Sequence, residues 1–157
     1  MTMRRALLLG LVGFGLAVLL FGKSARSIPP AAAAGVQWRE VDIGAGQECL
    51  PVALSAAALR EGLMGIRAVL EPMVFDIRPA KVSAFWMHDT RVPLSGVWVN
   101  DRSRVFGYWH GRARSDRLHR SVLPVSLVME YAAGAQLPRR GTRVFVTSAP
   151  CNMGPGL

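Results

Sequence analysis

The chain has 157 residues, 51% of them hydrophobic, and a formal net charge of +9. That length suits one domain of ordinary size, and the composition excludes a disordered polypeptide and a disulfide-dense miniprotein. The charge does not by itself indicate nucleic acid. From Ile28 onward 15 bases stand against 10 acids, all but Lys81 of the bases are arginines, and Arg, Ala and Gly richness together reads as compositional bias.

Residues 1–26 read as a signal or membrane-anchor helix. Arg4 and Arg5 precede the 17 uncharged residues Ala6–Gly22. A positive start followed by an apolar run is the pattern of an export signal, and roughly 17 residues is also the lower limit for a transmembrane helix. The run is long for a cleaved signal, so a retained anchor is expected. Cleavage near Ala25–Ser27 or Ala31–Ala34, with free secretion, is the alternative. Lys23 and Arg26 follow the run, so charge is present on both sides. Residues 27–35 form a linker, in which Pro29 and Pro30 favour an extended chain.

Residues 36–149 are expected to form an exported, β-rich domain, and 150–157 a C-terminal tail. Val36–Ile43 and Leu50–Leu54 read as strands. Ser55 is placed to N-cap a short helix from Ala56 to about Met64, ended by Gly62 and Gly65. Met73–Phe75 and Ser83–Met87 are brief apolar strands. Leu94–Asn100 and Val105–His110 read as a hairpin about Asp101-Arg102-Ser103. Val125–Tyr131 and Arg143–Thr147 complete the set. The fold class is α+β: mainly an antiparallel sheet or small barrel with one short helix, behind an N-terminal membrane helix.

Cys49 and Cys151 are the only cysteines. In an oxidising compartment they read as one disulfide closing about 100 residues, with two free buried thiols as the alternative. No near pair of the C-x-x-C kind suggests redox chemistry. His88, His110 and His119 lack metal-ligand spacing, and no nucleophile elbow is present, so neither a metal nor a cofactor is expected.

Several ordered motifs run through the domain: Gly62-Leu63-Met64, Arg67, Met73-Val74-Phe75, Phe85-Trp86-Met87, Thr90, Pro93-Leu94, Met129-Glu130 and Ala133-Gly134. In this series the chain resembles domain-of-unknown-function family 192, a widespread bacterial and archaeal family of small domains, over roughly Val52 to Val146. The resemblance implies a fold and carries no established activity. It departs from the family pattern at His88-Asp89, where the family has a basic residue and Asn, and at Ser95, where it has Asp.

The candidate binding surface is Trp86, His88, Asp89 and Thr90, with Arg67 and Glu130. A regular strand would put Trp86, His88 and Thr90 on one face and Phe85, Met87 and Asp89 on the other, so His88 and Asp89 would point apart. The plainer reading keeps Phe85 and Met87 in the core and Trp86 at the sheet edge. Glu130 ends an apolar run, and an ion pair with Arg67 or Arg91 is expected over catalysis. A basic loop (Arg102, Arg104, Tyr108, Trp109, Arg112, Arg114, Arg117 and Arg120) would be either solvated or turned to an anionic partner.

Together these features point to a membrane-tethered extracytoplasmic binding or accessory module, with a protein partner or anionic lipid and no nucleic acid. The alternative is an envelope enzyme, hydrolase-like, using His88 and Glu130. A deep pocket converging on those two residues would favour the enzyme.

Overall fold

The structure is a computed structural model that describes residues 35–44 and 46–151. The expected anchor at 1–26, nearly all of the linker and residues 152–157 lie outside the described residues. Among the described residues no helix is long and apolar enough to cross a membrane.

The described residues form nine strands and one helix in chain order: β1 Val36–Ile43, β2 Gly46–Ala53, α1 Ala56–Glu61, β3 Met73–Lys81, β4 Ala84–Phe85, β5 Leu94–Val99, β6 Val105–Gly111, β7 His119–Arg120, β8 Val125–Ala132 and β9 Val144–Pro150. Seven of them form one sheet in the order β6-β5-β8-β3-β2-β1-β9, and β4 pairs with β7 separately. Every pairing is antiparallel except β2 with β3, which α1 links as a crossover. The outer strands β6 and β9 approach one another. Arg104 and Arg143 form an antiparallel bridge, Val105 N–H donates to Thr142 O at 3.0 Å, and Val144 N–H donates to Ser103 O at 2.8 Å. The curled sheet is thus joined edge to edge at one end, between the open sheet and the small barrel that the strand pattern allows.

The central strands β5 and β8 are covered on both faces, which is why they read as unbroken apolar runs. Alternation then sorts their side chains. Trp98, Val128, Phe75 and Ala53 enter one cluster, beneath α1, together with Met87 and Trp109. Val97, Val99, Leu127, Met129, Val74 and Val52 enter the other. β6 changes faces at a bulge, where Trp98 pairs with Gly107 but Val99 pairs with Val105. That extra residue turns Phe106 and Trp109 toward the α1 side.

The helix is shorter than its apolar pattern implies. Ser55 Oγ accepts from Ala58 N–H at 3.1 Å, as the cap requires. Gly62, at φ +49°, then closes the helix by donating to Ala58 O. A left-handed residue there ends the α-helical ladder, so Leu63 and Met64 belong to a turn rather than to a further helical turn. The last strand reaches Pro150, into the segment read as a tail, because Cys151 is tied back to Cys49: their Cα atoms are 5.8 Å apart and joined by a disulfide.

Candidate functional site

A cleft of about 1030 Å³ opens between α1 with its following turn and the segment Val82–Trp86. This is at the upper end of the range of about 300–1,000 Å³ usual for small-molecule sites. Its walls are mainly apolar, and Glu130 lies among its lining residues. Chain segments far apart in sequence meet here. Gly62, Leu63, Met64, Phe75, Phe85, Trp86, Thr90 and Glu130 all line it, and each belongs to one of the motifs singled out from the sequence. The turn after α1 is fastened to the chain between Trp86 and Thr90, since Gly65 N–H donates to Asp89 O at 2.9 Å.

Glu130 is the unusual group. It sits on β8 between β3 and β5, only 4% exposed, opposite Met73 on one side and Gly96 on the other. Among the described residues its carboxyl has no hydrogen bond or ion pair; Arg67 and Arg91 are exposed and neither reaches it. The expected ion pair is therefore absent. A central strand covered on both faces holds the side chain under α1, while arginines on surface turns remain in water. Burial raises its pKa from 4.5 to about 8, so the carboxyl is mostly neutral at pH 7.

Next to it stands a second buried polar atom without a partner. Gly96 on β5 pairs with Glu130 on β8 and with Trp109 on β6, so the three share one row and one face. The indole of Trp109 crosses that glycine, and its Nε1 is buried with no hydrogen-bond partner. The ring also stacks on His119, with centroids 4.6 Å apart. Burial, then Arg117 and His110, lowers the pKa of His119, keeping that ring uncharged against the indole.

The Trp86–Thr90 region does not continue as a strand. β4 ends at Phe85, and Asp89 takes φ +53°, so strict alternation fails. Trp86 is exposed and stacks on His88, with ring centroids 4.9 Å apart. His88 Nδ1 lies 3.1 Å from Asp116 Oδ1 and its Nε2 lies 3.5 Å from Asp89 Oδ2. His88 and Asp89 thus meet rather than point apart: the left-handed turn folds Asp89 back. Thr90 parts from His88 and turns inward, buried against the cleft. The hydrogen bond to Asp116, then the charge on Asp89, raises the pKa of His88 above 6.5. Met87 is fully buried and Phe85 packs against the core, as the plainer reading had it. His88 does not line the cleft. The convergence of His88 and Glu130 on one pocket, which would favour a hydrolase, does not occur.

The basic loop is not one loop. Arg102 and Arg104 lie in the turn before β6, while Arg112, Arg114 and Arg117 follow its end and Arg120 lies on β7. A seven-residue strand separates the two groups by about 23 Å. Tyr108 is exposed and donates its hydroxyl to Pro138 O at 2.9 Å, while Trp109 is core, so the two aromatics do not form one exposed surface.

One pair was not anticipated: Ser95 Oγ lies 2.9 Å from His110 Nδ1, as cross-strand neighbours in the β5–β6 hairpin. The hairpin register, once fixed by its turn, was the signal that could have found it. Among the described residues no group of three or more His, Cys, Asp or Glu could hold a metal ion.

This β-rich architecture, with its cleft built from the ordered motifs, is that of a known but uncharacterised class of small domains. Residues 41–141 match domain-of-unknown-function family 192, described as "Uncharacterized ACR", and the chain belongs to that family. No curated protein matches it. Among solved structures it is similar to a protein of unknown function from Novosphingobium aromaticivorans DSM 12444. The TM-score is 0.63 and the identity 22%, with 78% of this chain and 94% of that one covered. It is also similar to a protein from Sinorhizobium meliloti 1021 provisionally named a transcription regulator. There the TM-score is 0.59 and the identity 22%, with 71% of this chain and 96% of that one covered. At these identities the likeness is one of fold.

Proposed function

We propose that this protein is an extracytoplasmic binding or accessory module, tethered to a membrane by its N-terminal segment, whose cleft holds a small ligand with an apolar body and one polar group. The observation that carries the reading is Glu130, which lines the apolar cleft as a buried, mostly neutral carboxyl with no partner among the described residues. Buried polar groups ordinarily find hydrogen-bond partners, and exceptions mark functional sites. An alcohol or amide could exchange hydrogen bonds with the neutral carboxyl. The disulfide supports an oxidising compartment, and the 17-residue apolar run supports the tether. A larger membrane complex in which this chain is a small subunit is compatible with the same site.

The test is calorimetric titration of the full chain with octanol, octanamide and octylamine between pH 6 and 9. Saturable binding of the alcohol or amide is expected, weakening above about pH 8 as Glu130 ionises. Glu130→Gln should remove that weakening, and Ala57→Trp, in the cleft wall, should abolish binding. If none of the three binds while the protein remains folded, the reading fails.

A further inference from the structure

The β4–β7 ribbon has two faces. Ala84 pairs with Arg120 and Phe85 with His119, and the ladder extends outward because Ser121 N–H donates to Ser83 O at 2.9 Å. Phe85 and His119 face inward, against Trp98 and Trp109. Residues 82, 84 and 86 and residues 118, 120 and 122 are all exposed and make up the outer face. A sheet face turned to water is ordinarily polar. This one carries Val82, Ala84, Trp86, Leu118 and Val122, with Arg120 its only charge. Val122 is 87% exposed, Val82 60%, and Leu123 beside them 51%.

Two further observations indicate what covers it. The first is charge. Segment 112–123 carries four exposed arginines (112, 114, 117 and 120) and a single acid, Asp116, which is engaged by His88. The second is where the described chain begins. Gly35 lies against Ser55 and Ala58 at the start of α1, and Leu54 N–H donates to Gly35 O at 3.0 Å. The helix α1 and strand segment Val82–Trp86 are the two walls of one cleft. The described chain thus begins beside α1, on one wall of that cleft, and the ribbon segment forms the other wall. The linker of residues 27–35 spans at most about 30 Å when fully extended.

We propose that the outer face of the β4–β7 ribbon rests on an anionic bilayer, with Val82, Trp86, Leu118 and Val122 at the headgroup boundary and the flanking arginines on lipid phosphates. Interfacial binding of this kind combines buried apolar area with attraction to anionic lipid, and salt weakens the second part. The proposal rests on the tethered reading; Val82 and Trp86 also line the cleft, so the bilayer would lie against one of its walls.

The experiment uses the full chain bearing Val122→Cys, labelled with an environment-sensitive fluorophore; the native cysteines are bonded to one another and do not react. Labelled Arg102→Cys, in the β5–β6 turn, is the control. Each is reconstituted into phosphatidylcholine vesicles with and without phosphatidylglycerol. With anionic lipid the Val122 label should shift to the blue and be quenched by spin-labelled lipid several-fold more strongly than the control. High salt, or Arg117→Glu with Arg120→Glu, should largely reverse both effects. Protein that floats with the vesicles while the Val122 label behaves like the control overturns this inference alone. So does a blue shift that is equal in phosphatidylcholine and insensitive to salt. A blue shift without lipid quenching means that a second copy of the chain covers the face, and it also overturns the proposal. Protein that does not float with vesicles defeats the tether and this inference together.

Discussion

The indole of Trp109 lies across Gly96 so closely that a Cβ on that glycine would stand 1.9 Å from its Nε1. The ring cannot retreat, because His119 stacks on its other side. Gly96→Ala should therefore cost about 3 kcal/mol or more, at the upper end of ordinary overpacking. Gly46, with open space around its Cβ position, is the control, and Gly46→Ala should be near neutral. Urea melts of the two variants decide the matter. Equal midpoints would mean that the row Glu130–Gly96–Trp109 is far looser than described.

Glu130 should make stability fall with pH. Its folded pKa, about 8, lies above the ordinary 4.5, so the folded state holds the proton more tightly. The contribution is fully present below about pH 4.5 and is lost as pH rises toward 8. At about 1.4 kcal/mol per pH unit, the loss is on the order of 5 kcal/mol. Glu130→Gln keeps the shape without the ionisation. It should flatten the decline and be more stable than the parent at pH 8.5, as thermal melts across pH would show.

His88 should titrate above 6.5, because Asp116 and Asp89 favour its charged form. The interaction is present below the ordinary pKa and is lost as pH rises through the raised one. Asp116→Asn removes the larger cause and should bring the titration of His88 down, as followed by the imidazole proton shifts. An unchanged titration would show that Asp116 does not engage the ring in solution.

The Cys49–Cys151 disulfide spans a sequence separation of 102. Chain entropy puts its contribution at about 4.7 kcal/mol. The double variant Cys49→Ser/Cys151→Ser should melt correspondingly lower, while reductant should leave its melting point unchanged and lower that of the parent.

Much of the fold could be read in the sequence, because burial leaves a periodic trace. The unbroken apolar runs of β5 and β8, the Ser55 cap and the Asp101–Ser103 hairpin turn each follow from local rules. Glu130 was visible as a carboxylate ending an apolar run, yet its lack of a partner was not, since that depends on where Arg67 and Arg91 end up. The meeting of His88 with Asp89 was hidden by one left-handed residue that breaks alternation. The parallel β2–β3 pair and the short β7 escaped notice because a crossover and a two-residue strand leave little periodic trace. The arginines are split by β6, a strand that the sequence pattern places inside the basic segment.

The bond between Cys49 and Cys151 also governs what a protease can do. The exposed chain between β6 and β7, at residues 112–118, is where cutting would be easiest. A nick there parts the backbone, but the piece bearing Glu130 stays joined to the piece bearing Gly35 through the two sulfurs. If the N-terminal segment holds the protein at a membrane, a clipped molecule keeps both halves at that surface. They would separate only when a reductant arrives after the cut, so damage and release become two distinct events.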